Sequence, residues 1–428
     1  MFRKIISTVF IRAFLAGLSF FLAILTTQYL GPAGKGDVSL FVLNLTIVQL
    51  VCNFVGGPYI VYLVPRKNIM HLLLLSYAWA LAASVLIPII LLSLNLLEQE
   101  SFFHLIFISI IFSFISINTQ VMIGKEEVNK YNITSLIQAV VLMVAFFIYI
   151  EIFKIRNLSS YINAMYFSCI TAIVVSFILI GKYFDKISLT GILKTLEEAL
   201  KKGVVLQAGS IAQMFNYRLS FYILDHFHSG GRKEVGIYSV AVSVAEALWL
   251  IAQSVSLVLY ARISNSEDIV QSQRLTVALI KIVSICTLLS TAVLFCVPQS
   301  VFTFVFGSGF EEVKRVMFPL SAGIIMLSAG IILSSYFVGT GKPQVTVTAS
   351  IMGLAITIAC GFILIPTLGM VGAGITASAS YAVSVIFQFI KFMQEAKKID
   401  LADFIFTKSD FKFVFLEVKN MFTSKQVQ

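Results

Sequence analysis

Apolar stretches, each of about the 20 residues that a helix needs to cross the roughly 30 Å hydrocarbon core of a bilayer, recur along the whole of this chain. Inside a membrane every backbone polar group must be satisfied internally, so only helices or closed β-barrels can span it. Barrel strands alternate apolar and polar residues, whereas the stretch 140–147 (VVLMVAFF) is apolar at every position. The sequence therefore predicts an all-α polytopic membrane protein.

The composition also indicates a protein that lies in a membrane, and it argues against several kinds of site. Only 12% of the residues are charged, whereas a soluble domain carries about 25%. The five cysteines lie singly in apolar stretches without CxxC spacing, so we expect neither disulfides nor a metal site. No GxxxxGK[ST] motif occurs, so we expect no ATP hydrolysis. We predict no catalytic residues and no cofactor, so the chain is not expected to be an enzyme.

Twelve membrane spans are predicted, separated by short connections that contain Gly, Pro, Asn or Lys. They cover residues 5–30, 38–63, 69–94, 102–123, 131–153, 160–181, 204–225, 235–261, 275–298, 313–338, 345–366 and 370–393. The longest internal connection divides them into two groups of six, an organisation common in secondary transporters. The predicted parts are an N-terminal lobe (1–181), a linker (182–203), a C-terminal lobe (204–393) and a tail (394–428).

Two short features of the sequence bear on this organisation. Residues 188–202 of the linker have an apolar stripe and the i,i+4 pair Glu198–Lys202, which predicts an amphipathic helix on the inner leaflet. Residues 36–40 (GDVSL) at the start of span 2 are echoed by residues 236–240 (GIYSV) at the start of span 8. The echo is weak evidence for an internal repeat.

The distribution of Lys and Arg predicts the orientation, because cytoplasmic loops carry the excess of these residues. With the N-terminus inside, and with charges in the three terminal residues of a span counted with the adjoining segment, the inner segments hold 21 Lys and Arg and the outer loops hold 7. Both termini are therefore predicted in the cytoplasm. This topology, with attraction to anionic lipid, accounts for most of the net charge of +10. No nucleic-acid partner is needed to explain it.

Charged side chains inside the membrane are the candidates for chemistry. Each costs about 2.5–3.5 kcal/mol at a helix centre, so those that remain usually face a cavity or a partner. They are Arg12 in span 1, Arg218 in span 7, Glu246 in span 8 and Lys281 in span 9, with Asp225 at the outer end of span 7. Three bases against one acid within the membrane favour an anionic substrate.

A diphosphate suits the two guanidiniums, since the planar guanidinium binds phosphate oxygens bidentately and stays charged. Arg12 and Lys281 could instead reach the membrane surface with their long side chains. Glu246 is a candidate ion-pair partner for Arg218, a candidate gating or ion-coupling group, or both, and Asp225 is a second coupling candidate.

Amides and a phenol near these charges are candidates for contacts with sugar hydroxyls. They are Gln49, Asn53, Gln213, Asn216, Tyr217 and Gln253. Polar residues also hold transmembrane helices together, and the sequence leaves both interpretations open.

Short motifs along nearly the whole chain resemble those of one transporter family, in the same order. They are YLGPAGKG at 29–36, EVGIYSVA at 234–241, VFGSGF at 305–310, GTGKP at 339–343 and LIPTLGMVGAGIT at 364–376. Together they resemble the polysaccharide transporters, or O-antigen flippases, of the multidrug/oligosaccharidyl-lipid/polysaccharide exporter superfamily.

The resemblance implies two six-helix lobes around a cationic cavity and alternating access powered by an ion gradient or the membrane potential. It implies as substrate an undecaprenyl-diphosphate-linked oligosaccharide, the repeat unit of an O-antigen, capsule or exopolysaccharide, moved from the cytoplasmic to the outer face. A polysaccharide polymerase and a chain-length regulator are the partners it implies. The sugar and the coupling ion stay open.

Other functions make different demands on the sequence. An ion-coupled multidrug exporter would favour acidic and aromatic cavity residues, and the intramembrane excess of Arg and Lys argues against it. A peptidoglycan-precursor flippase would share the whole mechanism. A membrane-embedded glycosyltransferase would need clustered carboxylates or a large outer loop, and the predicted outer loops are short.

Overall fold

The computed structural model describes residues 2–184, 192–266, 268–396 and 399–405, and every regular element in this part of the chain is helical. Nine helices among the described residues are long and apolar enough to cross a membrane. Two of these stretches are 53 residues long, about twice the length that one crossing needs. The prediction of a polytopic, all-helical membrane protein is confirmed.

The N-terminal half begins with a helix that contains two predicted spans. The helices are α1 (Phe2–Gly56), α2 (Pro58–Leu63), α3 (Ile69–Ser93), α4 (Gln99–Gly124), α5 (Val128–Glu151) and α6 (Leu158–Ile180), followed by a 3-10 turn at Gly181–Tyr183. Gly31 interrupts α1 with φ +69°, a conformation that glycine adopts without steric cost. The predicted loop between spans 1 and 2 is therefore a kink, and helical structure resumes directly at Pro32.

The C-terminal half ends with a second long helix that contains two predicted spans. Its helices are α7 (Ile192–Phe227), α8 (Gly231–Ser264), α9 (Ile269–Cys296), α10 (Gln299–Phe306), α11 (Val313–Gly339) and α12 (Pro343–Glu395), followed by a 3-10 turn at Leu401–Phe404. Gly369 kinks α12 with φ +56°, between predicted spans 11 and 12. The predicted tail beyond residue 405 lies outside the described residues.

Helix α7 differs from the predicted pair of an amphipathic helix and a span, because it is one continuous helix of 36 residues. Residues 188–191 lie outside the described residues. Ala199 is buried in the hydrophobic core of the N-terminal half, with Leu196 and Leu200 packed against that core. Glu198 accepts a hydrogen bond from the Tyr59 hydroxyl at 2.8 Å. The apolar stripe therefore packs on protein, where we expected lipid.

Contacts divide the chain into two compact units. The first contains Met1–Ile211 together with two pieces from later in the chain, Arg232–Gly236 and Phe304–Gly309. The second contains Ala212–Gly231, Ile237–Thr303 and Phe310–Gln428. The first turn of α8 thus belongs to the first unit, although the rest of that helix does not.

The echoed glycines meet inside the first unit. A Cβ on Gly36 would overlap the carbonyl oxygen of Arg232, and a Cβ on Gly236 would overlap that of Pro32. Each glycine therefore packs on the backbone of the residue four positions before the other, a reciprocal crossing that small residues permit between transmembrane helices. Arg232 completes the crossing with ion pairs to Asp37 at 2.7 Å and Glu98 at 3.0 Å.

Candidate functional site

An ion pair between two helices lies within the second unit. The guanidinium of Arg218 on α7 donates a hydrogen bond to the Glu246 carboxylate on α8. The two side chains are 29% and 35% exposed, so neither charge is sealed from its surroundings. An unpaired guanidinium in this position would be costly, and the carboxylate compensates it.

Aromatic rings surround this pair. Tyr217, next to Arg218, packs against Trp249 of α8 and Tyr381 of α12, with ring centres 5.6 and 5.4 Å apart. The Arg218 guanidinium also lies 5.2 Å from the centre of the Phe221 ring, within the range of a cation–π contact. The site therefore combines one fixed positive charge, one carboxylate and several aromatic faces.

A network of hydrogen bonds around Asn216 holds α7 on α12. The buried Asn216 side chain accepts hydrogen bonds from the hydroxyls of Thr357, at 2.7 Å, and Ser380. The Ser380 hydroxyl oxygen also lies 2.8 Å from the carbonyl oxygen of Gly353. A Cβ on Gly353 would lie 2.5 Å from Asn216 Nδ2, so the network requires glycine there. Because Asn216 is two residues from Arg218, this network fixes the helix that carries the ion pair.

A small polar cavity adjoins the network. Its volume is about 40 Å³, room for about three water molecules at 10–15 Å³ each. Its polar lining comes from α7, α11 and α12: Gln213, Asn216, Tyr217, Ser334, Thr346, Ser350, Tyr381, Ser384 and Gln388. The buried Thr346 hydroxyl has no hydrogen-bond partner among the described residues, as expected where water supplies one. A cavity of this size admits water but not a sugar.

The other predicted charges lie in different surroundings. Arg12 on α1 is exposed and makes no ion pair with the described part of the chain. Lys281 on α9 is buried and donates to the carbonyl oxygen of Ile405 at 3.3 Å, so it contacts the segment after α12. Asp225, near the end of α7, lies 3.7 Å from the His226 ring. Roles in substrate binding or coupling for these three residues stay predictions.

The predicted sugar-contact residues divide into two groups. Gln213 and Tyr217 share a hydrogen bond of 2.8 Å beside the ion pair, whereas Gln253 is exposed further along α8. Gln49 of α1 donates to Ser113 of α4 at 2.9 Å, which is a bond between helices of the first unit. Asn53 is partly exposed in the same unit.

The residues that α12 contributes to the candidate site were not predicted from the sequence. Ser380, Ser384 and Gln388 are all buried, and their spacing of four residues places them on one helix face. That polar stripe, within an otherwise apolar segment, is the signal that could have found them. Tyr381 has no such signal, because an aromatic residue in a transmembrane helix is most often simply packed.

Comparison with known proteins identifies the fold. No family model matches the sequence. The capsular polysaccharide biosynthesis protein CapF of Staphylococcus aureus is 25% identical over 159 residues, which cover 36% of this chain and 40% of that relative. The match therefore spans less than half of the relative's length.

Two solved structures resemble nearly the whole chain. The lipid II flippase MurJ, in an inward closed conformation, superposes with a TM-score of 0.70 at 14% identity, covering 99% of this chain and 100% of MurJ. An inward-facing MATE-family multidrug resistance transporter of the MOP superfamily superposes with a TM-score of 0.68 at 17% identity, covering 90% and 94%. At these identities the likeness establishes a MurJ- and MATE-like fold.

Proposed function

We propose that this protein is a secondary transporter that moves a polyprenyl-diphosphate-linked oligosaccharide from the cytoplasmic to the outer face of a bacterial cytoplasmic membrane. The observation that carries the proposal is the Arg218 guanidinium, a permanent positive charge on an apolar helix of the second unit, next to aromatic and amide side chains. A guanidinium binds phosphate oxygens through two parallel hydrogen bonds, and diphosphate is the part that all such substrates share.

The pairing of Arg218 with Glu246 suggests how binding and energy are coupled. A diphosphate that approaches Arg218 competes with the Glu246 carboxylate for the same N–H donors. Once displaced, the carboxylate lacks its counter-charge and becomes available to a coupling ion. Substrate and coupling ion would then occupy the pair together, and release of the substrate would return the carboxylate to Arg218.

The comparisons support this proposal in two ways. The MurJ-like fold belongs to a protein whose name gives it a lipid-linked substrate, and the partial match to CapF points to polysaccharide synthesis. The proposed orientation, with both termini in the cytoplasm, rests on the distribution of Lys and Arg. Polymerase and chain-length regulator partners are part of the proposal through the family resemblance alone.

Export of cationic drugs is the second candidate, and one observation favours it. Glu246 pairs with Arg218, whose neighbour Tyr217 packs on Trp249, and a carboxylate near aromatic rings can bind organic cations. Arg218 opposes this function because it neutralises the carboxylate and repels a cation. A peptidoglycan-precursor flippase remains a variant of the main proposal, since its substrate also carries a diphosphate.

Purified protein in proteoliposomes would test the proposal. The substrate is a fluorescent polyprenyl-diphosphate saccharide, and the readout is the fraction that an added membrane-impermeant quencher can reach over time. Wild type should accelerate transfer, and Arg218→Lys should be slower because an ammonium lacks the bidentate geometry. Glu246→Gln should still transfer the lipid but lose the response to an imposed ion gradient, tested with H+ and with Na+.

Controls in the same vesicles distinguish the proposed function from the alternative functions. Uptake of ethidium without transfer of the lipid would replace the proposal with drug export. Transfer of lipid II but of no other diphosphate-linked saccharide would assign a peptidoglycan precursor as the substrate. Equal rates with wild type and empty vesicles for every diphosphate lipid would contradict the flippase proposal itself.

A further inference from the structure

A second group of charges lies in the first unit, where α4 ends and α5 begins. The ammonium nitrogens of Lys125, Lys130 and Lys182 lie 5.5, 5.4 and 4.7 Å from the centre of the Tyr183 ring. Among the described residues, one carboxylate pairs with them: Glu127, 2.7 Å from both Lys130 and Lys182. Three cations and one paired anion leave an excess of positive charge around one ring.

The three lysines are not equivalent. Lys130 is 23% exposed and also donates to the carbonyl of Leu179 at 3.0 Å, so it ties α5 to α6. Lys182 is 56% exposed, and Lys125 is partly exposed with no carboxylate partner in the described chain. An ammonium group has three N–H donors, so Lys125 and Lys182 keep donors for a further ligand.

The Glu127 carboxylate is held by hydrogen bonds within this group. Burial is the largest single influence on the pKa of Glu127, and it raises that pKa. Hydrogen bonds from Lys130, Lys182 and Tyr183 together outweigh it, so the pKa is lowered from 4.5 to about 2. Glu127 is therefore ionised at physiological pH and orients two of the lysines. The neighbouring Glu126 is exposed and pairs with none of the three.

The position of the cluster indicates its ligand. Three apolar helices end or begin there: α4 at Gly124, α5 at Val128 and α6 at Ile180. Side chains at the ends of membrane-crossing helices lie at the depth of the lipid headgroups, where tyrosine is enriched and basic residues attract anionic lipid. The Phe184 ring, 46% exposed beside the cluster, offers an apolar surface next to these charges.

We propose that Lys125, Lys182 and Tyr183 form a binding site for the phosphate headgroup of an anionic membrane lipid. The phosphate oxygens accept hydrogen bonds from the two ammonium groups, and Tyr183 holds these groups close together. Lys130 and Glu127 position the site without contacting the lipid. The site lies in the first unit, and it does not depend on the proposed transport of an oligosaccharide.

Lipid binding to the purified full-length protein in detergent tests this proposal. Native mass spectrometry would count bound lipid during titration with phosphatidylglycerol, and phosphatidylcholine would serve as the lipid without net charge. The test variant is Lys125→Gln with Lys182→Gln. The matched control is Lys154→Gln with Arg156→Gln, which removes two positive charges from the opposite ends of α5 and α6.

We expect the test variant to lose phosphatidylglycerol affinity by about fivefold for each lysine removed, and the control to keep it. Lys125→Arg with Lys182→Arg should also bind as wild type does, because the charges are kept. An unchanged thermal midpoint of the test variant in lipid-free detergent would show that it is folded.

Two results would overturn the proposal. The first is equal phosphatidylglycerol affinity in wild type and the folded test variant. The second is equal wild-type affinity for phosphatidylglycerol and phosphatidylcholine, together with binding of inorganic phosphate that the test variant loses. That second result would assign the site to free phosphate instead of a lipid headgroup.

Discussion

The reciprocal glycine crossing of the first unit gives a prediction whose magnitude follows from the geometry. In Gly36→Ala the new methyl group would overlap the Arg232 carbonyl oxygen and lie 2.9 Å from its carbon. These are backbone atoms, so no side-chain rotation relieves the clash and the two helices must separate. Overpacking of this kind costs about 1–3 kcal/mol, and we expect the upper part of that range.

Two smaller effects modify this value. Separation of the helices would lengthen the ion pairs of Arg232 with Asp37 and Glu98, which are about one-third to one-half exposed and contribute at most about 1 kcal/mol each. Alanine has the better helix propensity, by about 0.5–1 kcal/mol. The net destabilisation expected is about 2 kcal/mol, and Gly236→Ala should match it because its contact with Pro32 is equivalent.

Thermal unfolding of the purified protein measures this effect. For a unit of about 200 residues, each kcal/mol lowers the midpoint by about 2–4 °C, so a decrease of about 4–8 °C is expected. Gly17→Ala is the matched control, since no atom lies within 4 Å of its new methyl group, and it should be neutral or slightly stabilising. Equal midpoints for Gly36→Ala and Gly17→Ala would refute the reasoning.

Three further predictions concern other parts of the chain. Gly353→Ala should destabilise the protein by about 1–3 kcal/mol and slow lipid transfer, because its methyl group displaces Asn216 and Ser384; a wild-type midpoint and rate would contradict this. Glu127→Gln should be less stable than wild type by about 1 kcal/mol or less near neutral pH. Because the folded pKa of Glu127 is lowered from 4.5 to about 2, that difference should disappear as the pH falls through this interval, which thermal midpoints at pH 6, 4 and 2.5 would check. Lys281→Met should weaken the attachment of the segment at Ile405, and faster proteolysis after α12 than in wild type is the expected result.

Much of this fold was predictable from the sequence because hydrophobicity and length decide what crosses a membrane. The kinks at Gly31 and Gly369 fall where Gly and Pro interrupted the apolar stretches. For residues 188–202 the predicted surroundings differ from those in the structure. An apolar stripe shows that one face of a helix is covered, but it does not show whether lipid or protein covers it. Lipid was expected, and the described part of the stripe packs on the core around Ala199.

The candidate site was predictable in part for a similar reason. Arg218 and Glu246 stand out because charge in an apolar helix is rare, and their pairing was one of the alternatives that the sequence left open. Spacing within a helix places residues on one face but does not name the helix they meet. The contribution of Ser380 and Tyr381 from α12 therefore required the structure.

The most direct test of the central proposal is the sidedness of the polyprenyl-diphosphate-linked oligosaccharide pool in cells that lack this gene. The cells would be complemented with wild type, with Arg218→Ala, or with Arg315→Ala as a control at an arginine that is 71% exposed. We predict that the lipid accumulates on the cytoplasmic face without the gene, and that wild type and the control relieve this but Arg218→Ala does not. Normal sidedness without the gene, or full relief by Arg218→Ala at equal protein levels, would contradict the account.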